Sequence, residues 1–228
     1  MRKEYWIILI TYIGMQLSGV IGIPIVTFLG TTFGKSYDEM VNLSFSIWII
    51  VSFSVALIII LFLLRKEMLN PVRDEKVLSP RQSINWAIGG IFLAFFAQSI
   101  AANIEYLLGI DMGSENTEQI VGLIKTAPIV ILVTSIIGPI LEEIVFRKII
   151  FGSLYNRWNF FIAGLISSLI FAIAHGEPEH LILYSAMGFT FAYLYVKTKR
   201  ILVPIFAHVS MNTLVVILQL NLEWIEKL

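Results

Sequence analysis

Long apolar runs separated by short polar connections dominate the chain. Runs near residues 5–29, 43–64, 84–104, 128–152, 159–175, 180–196 and 201–221 are mostly hydrophobic. A helix crossing a bilayer needs about 20 such residues, so the pattern predicts about seven transmembrane helices. The first run is interrupted by Gly14, Gly19, Gly22 and Pro24, which predicts a kink or an early end. The fifth and sixth runs sit near the lower length limit for a crossing. The polar stretch Ser114–Thr126 reads as an interfacial helix leading into Pro128. Asn70-Pro71 and Ser79-Pro80 mark an irregular connector after the second run. The fold class expected is all-α, a polytopic membrane helix bundle in one domain over 1–228.

Composition agrees with that pattern. Hydrophobic residues make up 57% of the 228 and charged residues 14%, against about 25% charged in a soluble domain. The formal net charge is zero, so nothing points to nucleic acid as a partner. Cysteine is absent, which excludes disulfides and thiolate metal sites. Apolar Tyr5–Leu29 is too long for the core of a cleavable signal.

The placement of charge gives an orientation. Basic residues occupy the N-terminus (Arg2, Lys3), the second loop (Arg65, Lys66, Arg73, Lys76, Arg81), the loop at Arg157 and the loop at Lys197, Lys199 and Arg200. Alternate loops are poor in them: the first has Lys35, the third carries Glu105, Asp111, Glu115 and Glu118 before Lys125, and the last carries Glu177 and Glu179. Basic loops stay cytoplasmic. The N-terminus is therefore expected inside and the C-terminus outside, in what reads as a bacterial plasma membrane protein with membrane lipid around it.

Ionisable residues inside apolar runs carry the functional signal, since each costs about 2.5–3.5 kcal/mol at a helix centre. The fourth run holds Glu142, Glu143 and Arg147. Glu143 and Arg147, four apart, share a face and can pair, either as a structural ion pair or as support for a site. Glu142 points about 100° away and needs a partner from another helix. Gly138-Pro139 precedes the pair and predicts a bend. His175 ends the fifth run with Phe171 on its face, and His208 lies in the seventh with Asn212 on its face. His180, among Glu177, Pro178 and Glu179, reads as a solvated loop residue.

A carboxylate, two histidines and an asparagine on three apolar helices suit amide hydrolysis. Glu142 would act as general base with His175 holding the water, while His208 and Asn212 donate to the developing oxyanion. Neither a cysteine nor a Gly-x-Ser-x-Gly elbow offers a nucleophile. Glu142, His175 and His208 are also a ligand set for a divalent metal such as zinc, although no His-Glu-x-x-His helix is present.

The ordered motifs Glu142-Glu143-x-x-x-Arg147, Phe171-x-x-x-His175 and His208-x-x-x-Asn212 resemble those of the CAAX protease and bacteriocin-processing family of intramembrane proteases, over about residues 120–220. The resemblance implies an endopeptidase in a helical bundle acting on a peptide or lipidated protein. It implies Glu142 and His175 as water activators, His208 and Asn212 as oxyanion partners, and Glu143 and Arg147 as supporting residues. Many relatives carry glycine after the motif arginine, where this chain has Lys148. Two competing readings give the polar residues other work. One is a non-catalytic immunity or scaffold protein binding a bacteriocin or partner. The other is a transporter with a carboxylate proton relay, for which the inverted repeats are missing.

Overall fold

A computed structural model describes residues 2–69 and 77–225, with the side chains of Asn42 and residues 222–225 left out. Asn70-Pro71, Arg73 and Lys76 lie outside the described residues. The described chain is all-α: it contains α1 (Lys3–Leu17), α2 (Gly19–Thr32), α3 (Tyr37–Leu69), α4 (Pro80–Leu107), α5 (Glu115–Thr126), a helical stretch α6 over 130–155, α7 (Phe160–Ala174), α8 (Leu181–Thr198) and α9 (Leu202–Ile225). Helix follows from the solvent. Backbone N–H and C=O groups in hydrocarbon have no water to bond, and an α-helix satisfies them within one segment.

Helices cover all seven apolar runs. By length and composition α3, α4 and Leu202–Asn221 of α9 can each cross a membrane, and α1 with α2 passes the same test as a pair bent by 48°. The bend falls at Ser18, inside the glycine-interrupted region, and Pro24 is accommodated within α2. At 15 residues, α7 spans roughly 22 Å, short of a hydrocarbon core of about 30 Å.

The described residues form two compact units. The first comprises 1–72 and 119–141. In it α1 and α2 pack on α3 around buried Ile8, Met40, Ala56 and Ile60. Gly22 lies against the Trp48 indole so closely that an added Cβ would sit 1.9 Å from the ring. The indole N–H donates to Ser18 Oγ at 3.0 Å.

The second unit comprises 73–118 and 142–228. Helix α4 packs on α8 and α9, and α7 packs on α8 and on 143–151. Small residues let the helices approach, as is usual in membranes. Gly90 faces Leu194 and Ala207, and a Cβ on Gly188 would lie 2.6 Å from that of Ser168. Pro80 is the first residue of α4 and is not part of an irregular connector. Ser79 caps it, accepting from Gln82 N–H while the Gln82 side chain accepts from Ser79 N–H. The αL residue Lys199 closes α8, and Arg200 Nε donates to Leu78 O at 3.0 Å, tying the start of α4 to the α8–α9 turn.

The α6 stretch differs from a helix simply bent at proline. Residues Val133–Ile137 and Glu143–Phe151 are π-helical, on either side of the α-turn Gly138–Glu142 that holds Pro139. A π turn shifts bonding to i→i+5, so the backbone absorbs a proline without breaking. Such turns cluster at functional sites, and the second one carries Glu143 and Arg147.

Candidate active site

The second unit brings residues 142–155 of α6 together with α7, α8 and α9 around Glu143. Glu143 is fully buried, as is Arg147, one turn on. Arg147 Nε lies 3.2 Å from Glu143 Oε2. The guanidinium rests over the Phe171 ring at 4.4 Å, with Phe191 at 5.7 Å and Phe146 at 6.0 Å. Burying such a charge is costly unless it is paired, and here a carboxylate and three aromatic faces offset the loss of water.

The other oxygen of Glu143 serves His208. His208 Nδ1 lies 3.0 Å from Glu143 Oε1, and because a carboxylate accepts, Nδ1 carries the proton. The His208 ring stacks on Phe191 at 4.5 Å, so its plane is fixed. Nε2 then faces Glu142 Oε2 at 3.7 Å. Glu142 thus finds a neighbour on α9, not on its own helix.

His175 caps the C-terminus of α7. Its Nδ1 donates to the Phe171 carbonyl at 2.8 Å, which leaves Nε2 as the free ring nitrogen. The Phe171 ring meets both imidazoles, at 4.4 Å from His175 and 6.1 Å from His208. No direct hydrogen bond joins His175 to Glu142 or His208, but it lies within electrostatic reach of both. Asn212 is half-buried one turn beyond His208 and makes no hydrogen bond with these groups.

Burial divides the set. Glu143, Arg147 and His208 are buried, whereas Glu142, His175 and Asn212 are half-buried. The first three form a fixed base, and the second three keep surface for another molecule. Among the described residues no group of three His, Asp or Glu side chains is gathered tightly enough to hold a metal ion. Glu142, His175 and His208, the set expected for a divalent metal, do not form such a group in this arrangement.

One expectation fails outright. His180 is not solvated: it is 7% exposed and its Nδ1 donates to Glu105 Oε2 at 2.9 Å. Glu105 is 2% exposed, in the last turn of α4, and its other oxygen accepts from Leu183 N–H at 2.8 Å in the first turn of α8. That amide has no partner within its own helix, so a carboxylate there satisfies it and suits the helix dipole. Glu177 is buried as well. A polar loop sequence gives no sign of a partner 75 residues away.

With this geometry established, similarity to known proteins decides the family. The Type II CAAX prenyl endopeptidase Rce1-like family matches residues 124–214, which contain Glu142, Glu143, Arg147, His175, His208 and Asn212. The Bacillus subtilis (strain 168) protein named "Putative membrane peptidase YdiL" is 52% identical over 97% of this chain and 91% of its own length. The Staphylococcus aureus (strain USA300) "Membrane-embedded CAAX protease MroQ" is 40% identical over 73% of this chain and 72% of its own. The chain belongs to the Rce1-like CAAX protease family. It is accordingly an integral membrane protein of a peptidase family. No solved structure matches it.

Proposed function

We propose that this Rce1-like chain is an intramembrane endopeptidase that hydrolyses a peptide bond of a membrane-associated peptide or lipidated protein. The observation that carries the reading is the Glu142 carboxylate beside Nε2 of His208, 3.7 Å away, above the buried Glu143–Arg147 pair. Glu142 takes the proton of an attacking water, and His175 holds that water through Nε2. As the carbonyl carbon becomes tetrahedral, its oxygen gains negative charge. The Asn212 amide and the Nε2–H of His208 in its imidazolium form donate to that oxygen. Glu142 then passes its proton to the departing amine. Glu143 holds the His208 ring and Arg147 holds Glu143, so both act through position.

Three half-buried groups beside a buried anchor suit a substrate that enters from lipid. The basic loops support an N-terminus in the cytoplasm and a C-terminus outside, in a bacterial plasma membrane. The test is cleavage of internally quenched peptides by purified protein, one ending in a farnesylated CAAX sequence and one unprenylated, with products read by mass spectrometry. Wild type should cut at one bond and His175→Ala should not. Equal cleavage by both proteins would refute the assignment of His175.

A further inference from the structure

His175 is held from two sides. Phe171 meets it edge-on at 4.4 Å, and Tyr184 of α8 stacks against it at 4.0 Å with 27° between planes. Tyr184 is in turn held at its hydroxyl, which donates to Glu177 Oε2. The same carboxylate accepts from the Ser114 hydroxyl at 2.9 Å and from Asn116 N–H at 2.9 Å. Ser114 Oγ also accepts from Thr117 N–H at 3.1 Å. Glu177 is 6% exposed, and a buried carboxylate persists only when its oxygens are satisfied. Burial works against its charge, yet bonds from Tyr184, Asn116 and Ser114 outweigh this and hold the carboxyl below its usual range. The result is a chain of contacts from the polar segment 114–117 through Glu177 and Tyr184 to one imidazole face. None of these residues belongs to the three motifs.

We infer that Tyr184, anchored by Glu177, is a positioning residue that sets the plane of the His175 imidazole and couples the segment Ser114–Thr117 to it. This rests on the proposed role of His175 and deepens it. With Nδ1 on the Phe171 carbonyl, one rotation remains to the ring, and the Tyr184 stack stops it. Nε2 then points in one direction. Tyr184 can hold that stack only while its hydroxyl is anchored.

The chain has three histidines, so histidine-labelled full-length protein in detergent micelles gives three sets of ring signals by NMR. Each is assigned by its loss in a single variant. Tyr184→Leu should move the His175 ring protons downfield, as the ring current of the stacked phenol is lost. Glu177→Gln and the milder Tyr184→Phe should move the same signals by less, with those of His208 in place. Cleavage of the farnesylated peptide by Tyr184→Phe should show lower kcat at unchanged KM. His175 signals that stay fixed in both Tyr184→Leu and Glu177→Gln would overturn the inference, whatever the activity. Moving signals together with full activity of Glu142→Gln would refute the proposed function and leave the positioning role standing.

Discussion

His208 donates to Glu143 across two helices at 3.0 Å, and that contact determines which nitrogen of the histidine faces Glu142. Glu143 also carries Arg147, so one carboxylate orients a histidine and neutralises a buried cation. The arrangement resembles the general rule that a working histidine is oriented through its second nitrogen.

Removing Glu143 should therefore damage folding before chemistry. Glu143→Gln takes from the fully buried Arg147 the carboxylate that lies 3.2 Å from its Nε, and breaking a buried ion pair costs about 3–5 kcal/mol. Thermal unfolding in detergent should show a much lower midpoint. Glu143→Gln combined with Arg147→Met should recover part of the loss, because the buried positive charge is then gone. A double variant no more stable than the single one would contradict the pairing.

Asn212 should behave in the opposite way. It is half-buried and bonds to nothing in the site, so Asn212→Ala should leave the melting midpoint nearly unchanged. Loss of an oxyanion donor costs about 10²–10³-fold in kcat, and peptide turnover should fall by that order with little change in KM. A wild-type kcat would remove Asn212 from the mechanism.

The α4–α8 connection should give stability a pH dependence. Burial disfavours charge on His180, but the hydrogen bond and charge of Glu105 outweigh it, with Glu177 and Glu179 adding to them, and the pKa is raised. A raised folded pKa means stabilisation is complete below the unfolded value of about 6.5 and is lost as pH rises through the folded value. Melting midpoints should fall as pH rises across the neutral range. His180→Gln should flatten that slope, and an unchanged slope would show that other groups set it.

How much the sequence revealed follows physical lines. Spans were legible because lipid demands continuous apolar runs, and the break between α1 and α2 was marked by Gly19 and Gly22 beside Ser18. Glu142, Glu143 and Arg147 stood out because charge inside an apolar run is costly. The π turns of α6 left no mark, since they differ from α turns in bonding and not in residue preference. His180, Glu105 and Glu177 were misleading for a related reason. At the ends of runs polar residues look solvated, and only the folded chain shows that α4 and α8 enclose two of them and that segment 114–116 reaches the third.

In the proposed mechanism the Glu142 carboxylate removes the proton from the attacking water. Glu142→Gln keeps shape and removes that basicity, so its rate on a cleaved peptide tests the claim most directly, with the melting midpoint as a control for folding. The loss of a general base costs typically about 10²–10⁴-fold, so kcat should drop by at least 10²-fold in a protein that melts like wild type. A folded Glu142→Gln protein that cleaves at the wild-type rate would contradict the account.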